Sequence, residues 1–220
     1  MRPPSILGGE EIKIEERLPP PPERRTAHKW LKEDSLERYK KANGEVFELY
    51  ISKVSEEKIR NHAVRSVDSK REIMGLMLGG VYAFNGKNYT VVRDVVTTDL
   101  EASSVHVRFQ REAFEKLFDS LDEAGFNYVI VGWYHSHPGH RCFMSSTDVD
   151  TQRTLFNMPY HNALVIDPVN REIEVYFLDD NKIRTRDFAV YWDEFENPYH
   201  GTTVRRRIVR SDPDGVAPPQ

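Results

Sequence analysis

With 220 residues, 39% hydrophobic and 11% aromatic, the chain has material for one substantial domain plus extensions. A net charge of −4 argues against nucleic acid as a main partner, and a single cysteine excludes an internal disulfide, which suits a reducing compartment. No stretch approaches the roughly 20 apolar residues of a membrane span, and Met1-Arg2-Pro3-Pro4 has no signal-peptide core, so the expectation is a cytoplasmic protein without a membrane partner.

Residues 1–45 read as an N-terminal extension, Pro-rich and charged. Pro19 to Pro22 form a polyproline II spacer without donors for a sheet. Residues 29–42 carry a thin apolar set, Trp30, Leu31, Leu36 and Tyr39, which fits either a short docking helix or a solvated arm. The folded domain is assigned to residues 46–195. A half-buried strand is expected over 46–54, and a helix capped by Ser55, with Glu56 and Glu57 at its positive end, runs to about 67. A strand from Glu72 to Phe84, an Asn85-Gly86 hairpin turn and a returning strand over 89–97 follow. Residues 99–107 read as a loop, and Phe109, Ala113, Leu117 and Leu121 mark an amphipathic helix ended by Gly125.

Tyr128-Val129-Ile130-Val131 is an apolar, β-branched run that reads as a buried strand leading into His135 and His137. Alternate residues of an extended chain point the same way, so both imidazoles share a face. Pro138-Gly139 turns the chain, and a helix opens at Ser145-Ser146-Thr147-Asp148, ending near 157 before Pro159. Strands follow over 163–166 and 173–178, joined by a turn at 167–171, and a last strand covers 183–192. Residues 196–220, with Arg205-Arg206-Arg207, read as a polar, disordered tail.

Two imidazoles and a carboxylate on rigid elements match three protein ligands of a catalytic zinc whose fourth position holds water. Asp148 has a second reading, since Ser-x-x-Asp is also a good helix start in which the carboxylate back-bonds to the cap. Cys142, between the ligands, is a fourth ligand only if the site is closed and structural. Glu72 precedes the apolar run Ile73-Met74-Gly75-Leu76-Met77-Leu78, where a buried carboxylate needs a partner; acting as base toward a zinc-held water supplies one. His28, His62, His106, His161 and His200 lack ligand spacing.

These residues resemble the MPN+/JAMM zinc isopeptidases, whose pattern is a distant Glu, His-x-His-Pro and Ser-x-x-Asp, here Glu72, His135, His137, Pro138, Ser145 and Asp148. Within that family the likeness is to the deubiquitinating type of the proteasome lid, in an archaeal-type, short-tailed form, which shares Gly-Trp-Tyr-His-Ser-His-Pro-Gly, the later Cys, Ser-Ser and Asp-x-x-Thr-Gln. His140, Arg141 and Phe143-Met144 depart from that type. The resemblance implies an α/β fold, an MPN domain with a mixed β-sheet sandwiched by helices in a cytidine-deaminase-like layering. It implies one zinc per chain with a bound water, held by His135, His137 and Asp148, with Cys142 not coordinating. Glu72 becomes the general base, and Ser145 donates to the oxyanion, a role in tension with capping. The implied substrates are conjugates joining the C-terminal glycine of ubiquitin, or a ubiquitin-like modifier, to a lysine amine, with modifier precursors a second use. Leu100, Glu101, Ala102, Ser103, Ser104, Val105, His106 and Val107 are the candidate loop that closes on an extended Gly-Gly tail. Family homologues work beside a related subunit lacking the metal site. With no long helical tail, this chain is expected alone, as a homodimer, or beside a proteasome or its unfoldase. The alternatives are a non-catalytic MPN scaffold, or a JAMM hydrolase acting on sulfur-carrier or small-molecule conjugates.

Overall fold

A computed structural model of the chain describes residues 21–42, 44–69, 71–97 and 129–192. Its elements in chain order are β1 (Arg25–Thr26), α1 (Glu33–Lys41), β2 (Leu49–Ser52), α2 (Lys53–Arg65), β3 (Met74–Phe84), β4 (Lys87–Thr97), β5 (Val129–Ser136), α3 (Ser146–Leu155), β6 (Asn162–Asp167), β7 (Glu172–Asp179), β8 (Lys182–Thr185) and β9 (Phe188–Tyr191). The expected loop at 100–107, the helix over 109–125 and the tail at 196–220 lie outside the described residues.

All described strands join one mixed sheet in the order β1-β9-β2-β4-β3-β5-β6-β7-β8. β2 runs parallel to β4 and β9, and β5 parallel to β6; the other pairs are antiparallel. β8 and β9 are separated by Arg186-Asp187 yet lie near opposite ends of that order. A flat sheet would put them about 34 Å apart at the usual strand spacing of ~4.8 Å, whereas this connection reaches only about 11 Å. The sheet therefore curls back on itself, and the Arg186 N–H donates to the Val175 carbonyl at 2.8 Å, which carries the β7–β8 pairing one residue further, up to the crossing. This is also why the expected single strand over 183–192 is two: β8 pairs with β7, and β9 with β1 and β2.

Inside the curl lies α2, touching β2, β4, β5, β6 and β9. Its Ile59 and Ala63 share a core with Leu49, Ile51, Met77, Leu164, Ile166 and Phe188. On the opposite face Met74, Leu76, Trp133, Ala163 and Phe156, which caps the end of α3, form a second core. β5 serves both faces through an irregularity opposite Met77 and Leu78. Gly132 sits there with φ +150°, and a Cβ at that position would run into the Asn162 carbonyl, so only glycine fits. The β3–β4 hairpin turns at Asn85 and Gly86 with φ of 50° and 74°, the two positive values a type I′ turn needs.

Of the two readings of residues 29–42, the docking helix is the one present, and the segment before it also joins the sheet, which the sequence did not suggest. Residues 25–42 are not a free arm: β1 extends the sheet beside β9, His28 is buried, and α1 docks through the buried Ser35. The α2 cap is Ser52, whose hydroxyl accepts from the Ser55 N–H, three residues earlier than read from the pattern. β2 pairs as far as Ser52, so the helix starts where the ladder stops.

Candidate metal centre

β5 delivers His135 within the sheet and His137 one residue beyond its end, and their ring centroids are 4.8 Å apart on the same side. Both are buried. The third group arrives on α3. Ser145 is the N-cap, its hydroxyl accepting from the Asp148 N–H at 3.2 Å, while Asp148 Oδ2 accepts from the Ser145 N–H at 2.7 Å. The capping-box reading of Ser-x-x-Asp is therefore real, and it aims the Asp148 carboxylate at the histidines.

His135 Nε2 and His137 Nε2 stand 3.4 and 3.5 Å from Asp148 Oδ2. These contacts are too long for good hydrogen bonds. Both ring nitrogens of His135 and Nδ1 of His137 are buried with no hydrogen-bond partner among the described residues. Unpartnered buried polar atoms are rare, and three in one cluster point to a missing group. Ligands at about 2.0–2.1 Å in a tetrahedral shell lie roughly 3.3–3.4 Å from one another, which is the spacing these donors keep. The donor set of two imidazoles and one carboxylate thus fits a zinc ion.

The electrostatics agree. Burial works to raise the Asp148 carboxyl, but His135 and His137 outweigh it and hold it well below the usual carboxylate range. Burial works to lower His137, yet Asp148 and the charge of Glu72 raise it. Trp133 stacks on His135 at 4.4 Å, and its indole N–H donates to Gln152 on α3 at 2.8 Å, fixing the ring plane. Phe143, 45% exposed, lies 4.6 Å from His137 ring to ring and gives the rim an apolar face.

Glu72 corrects the reading that put it at the head of a core strand. β3 begins at Met74 and Glu72 is exposed, so its presence is not explained by burial. What places it is Ile73: the Ile73 N–H donates to Ser136 Oγ at 3.0 Å and its carbonyl accepts from the Ser136 N–H at 2.9 Å. That exchange fixes the residue before β3 beside the end of β5, within electrostatic reach of His137.

Cys142 does not join the donors. Its thiol is buried against the Val165 carbonyl at 3.3 Å, and burial pushes it up to about 12. The sequence also hid Asp167, read only as a turn residue. Its carboxylate accepts from the N–H groups of Gly139 (2.9 Å), Arg141 (2.7 Å), Val169 (2.9 Å) and Asn170 (3.1 Å). Burial would raise it, but these bonds hold it low. Asp167 thereby ties the turn after His137 to β6. The Asp-Pro-x-Asn pattern at 167–170 was the available signal.

Comparison with known proteins agrees with this geometry. The family described as JAB1/Mov34/MPN/PAD-1 ubiquitin protease matches residues 45–159. COP9 signalosome complex subunit 5 of Debaryomyces hansenii is 34% identical over 164 residues, covering 72% of this chain and 32% of that protein. The 26S proteasome regulatory subunit RPN11 of Eremothecium gossypii is 39% identical over 124 residues, 55% of this chain and 38% of its own length. The ubiquitin carboxyl-terminal hydrolase RPN11 of Saccharomyces cerevisiae is 37% identical over 124 residues, 55% and 39% respectively. The chain thus spans about a third to two fifths of these relatives. The solution structure of protein DSY2949 from Desulfitobacterium hafniense shares the fold, with a TM-score of 0.51 and 18% identity over 69% of this chain and 99% of that one. Among the described residues no helix is long and apolar enough to cross a membrane. With the family pattern matched through both histidines and Asp148, the chain belongs to the JAB1/Mov34/MPN/PAD-1 ubiquitin protease family.

Proposed function

We propose that the chain is a zinc-dependent isopeptidase that hydrolyses the bond between the C-terminal glycine of ubiquitin, or a ubiquitin-like modifier, and a lysine amine. The observation that carries this is the convergence of His135, His137 and Asp148 around buried nitrogens that no group among the described residues satisfies. A bound zinc supplies Lewis acidity and an acidified water.

The chain's own residues supply the rest. Glu72, exposed and within electrostatic reach of His137, takes the proton from the attacking water and returns it to the leaving amine. Ser145 donates to the developing oxyanion. Its cap uses an oxygen lone pair and leaves the O–H to donate, so the two roles are compatible. Asp148 keeps its orientation through the Ser145 N–H, and Trp133 holds His135. An extended Gly-Gly tail, without side chains, suits binding as an added strand, with residues 100–107, outside the described residues, its proposed contact. The relatives' names, a ubiquitin hydrolase among them, support this substrate class. A proteasome, its unfoldase or a second copy is the proposed company, and the cytoplasm the proposed setting.

The test is cleavage of a ubiquitin-like conjugate by wild type and Glu72→Gln, each with and without a zinc chelator. Turnover is expected only from zinc-replete wild type. Turnover that survives both the substitution and the chelator overturns the reading, as does a zinc-loaded wild type that leaves every conjugate intact.

A further inference from the structure

Residues 25–42 precede the segment that matches the family, yet they reach the candidate metal centre. From β1 beside β9 the chain crosses the seam of the curled sheet to β7. There Ile173 donates its N–H to the Trp30 carbonyl at 3.1 Å, and Leu31 forms a parallel bridge with Ile173. The crossing is fixed at both ends, by His28 against Glu56 at 2.9 Å and by Ser35 against Glu174 at 3.1 Å. Between these anchors the Lys32 ammonium donates to the Cys142 carbonyl at 3.2 Å, with Glu172 3.8 Å away.

Cys142 lies in the loop that joins His137 to Asp148. The start of this loop is pinned by Asp167 through Gly139 and Arg141. Only Phe143 and Met144 separate Cys142 from the Ser145 cap, so the position of its carbonyl sets where Asp148 stands relative to the two imidazoles. Among the described residues two donors hold that carbonyl: the Tyr176 hydroxyl at 3.1 Å, from β7, and Lys32, from the N-terminal segment. We propose that residues 25–42 act as a strap over the seam and that Lys32 is a positioning residue of the metal centre, holding the ligand loop through the Cys142 carbonyl. This rests on the isopeptidase reading for its catalytic consequence, but not for its effect on metal binding.

The experiment compares full-length wild type with Lys32→Met, which keeps the stem and removes the charged donor, Lys32→Arg, which restores a donor, and Lys40→Met, an exposed site on α1. Zinc affinity is read by competition with a chelating indicator, turnover on a ubiquitin-like conjugate as kcat and KM separately, and folding as the urea midpoint. Lys32→Met is expected to weaken zinc binding about threefold to tenfold, below the roughly 10- to 100-fold of a group bonded directly to a metal ligand. It should lower kcat similarly with KM within about twofold, because the substrate is not touched. Arginine should recover most of the loss, and Lys40→Met should change nothing. Wild-type zinc affinity and kcat in Lys32→Met overturn the proposal. So does a loss shared by Lys40→Met, or one that tracks a lowered midpoint and is not rescued by arginine. If no protein turns over any conjugate while zinc affinity still falls only in Lys32→Met, the strap stands and the isopeptidase reading fails.

Discussion

Two regions of this molecule bury histidine against carboxylate, and they do so to opposite ends. Between the N-terminal segment and α2, His28 Nδ1 accepts from the Trp30 N–H at 3.0 Å, which leaves Nε2–H to donate to Glu56 at 2.9 Å. Glu56 also accepts from Lys53 at 2.6 Å and Arg60 at 2.8 Å. Every polar atom there has an answer. At the end of β5, His135 and His137 face Asp148 across 3.4 and 3.5 Å, and three ring nitrogens have none. Burial lowers His28, as expected for an imidazole kept neutral, whereas Asp148 and Glu72 outweigh burial and raise His137. The first cluster is complete with its own cations; the second has a field that favours a cation, and none of the described residues provides one. A buried His–carboxylate pair is therefore no sign of a metal by itself. The unanswered nitrogens are.

The widest separation between the two regions is expected from their carboxylates. Glu72→Gln should cut kcat about 10²- to 10⁴-fold while zinc stays bound. Asp148→Asn should lose the metal, read by elemental analysis, and fall further in kcat/KM. Glu56→Gln keeps all three donors. It breaks a buried charge cluster and is expected to cost about 3 kcal/mol of unfolding stability in urea, and because His28–Glu56 anchors the strap it should weaken zinc binding no more than Lys32→Met does. Zinc loss as complete as that of Asp148→Asn would mean that Glu56 acts on the donors themselves.

Ser145 sharpens the comparison, because it combines a structural bond with a proposed catalytic one. Ser145→Ala should cost about 1 kcal/mol of stability through the lost cap and about 10²-fold in kcat through the lost oxyanion donor. Ser145→Asp keeps a capping oxygen but has no hydrogen to donate, so it should recover the stability and not the turnover. Recovery of both would leave Ser145 a cap alone.

The candidate site was legible where its information is local. His135, His137 and Asp148 fall within 14 consecutive residues, and strand alternation plus a helix cap fix their directions without knowledge of the rest. The Asn85-Gly86 turn was readable for the same reason. Long-range pairings were not. His28 has no ligand spacing, and nothing near it in sequence says that Glu56 is its partner. Glu56 read only as a charge at the positive end of a helix, yet it is 4% exposed and pairs with His28. Arg186-Asp187 divides β8 from β9 because the sheet curls, and curl is a property of the strand order as a whole. Glu72 was found at the head of an apolar run and through the resemblance's pattern of a distant Glu, but the argument from burial failed, since Ser136, not core packing, fixes the backbone of Ile73 that follows it.

The smallest effect concerns a third buried histidine, and it tests the neutral-imidazole half of the comparison away from the metal donors. His161 is 5% exposed, its Nδ1 accepts from the Met158 N–H at 3.2 Å, and burial pushes it down to about 4. Its folded value lies below the unfolded one of about 6.5, so the unfolded chain binds the extra proton. The stability it contributes is complete above that unfolded value and declines as pH falls toward about 4. Between pH 7.5 and 5.5 this amounts to about 1.3 kcal/mol. His28, also lowered by burial, adds in the same direction, while His137, which is raised, runs against it. The difference between wild type and His161→Asn removes those shared contributions, and asparagine retains an acceptor for the Met158 N–H. In urea unfolding at the two pH values, wild type should lose about 1 kcal/mol more than His161→Asn on acidification. Equal losses would mean that His161 takes up its proton without unfolding, and that burial there is not what keeps it neutral.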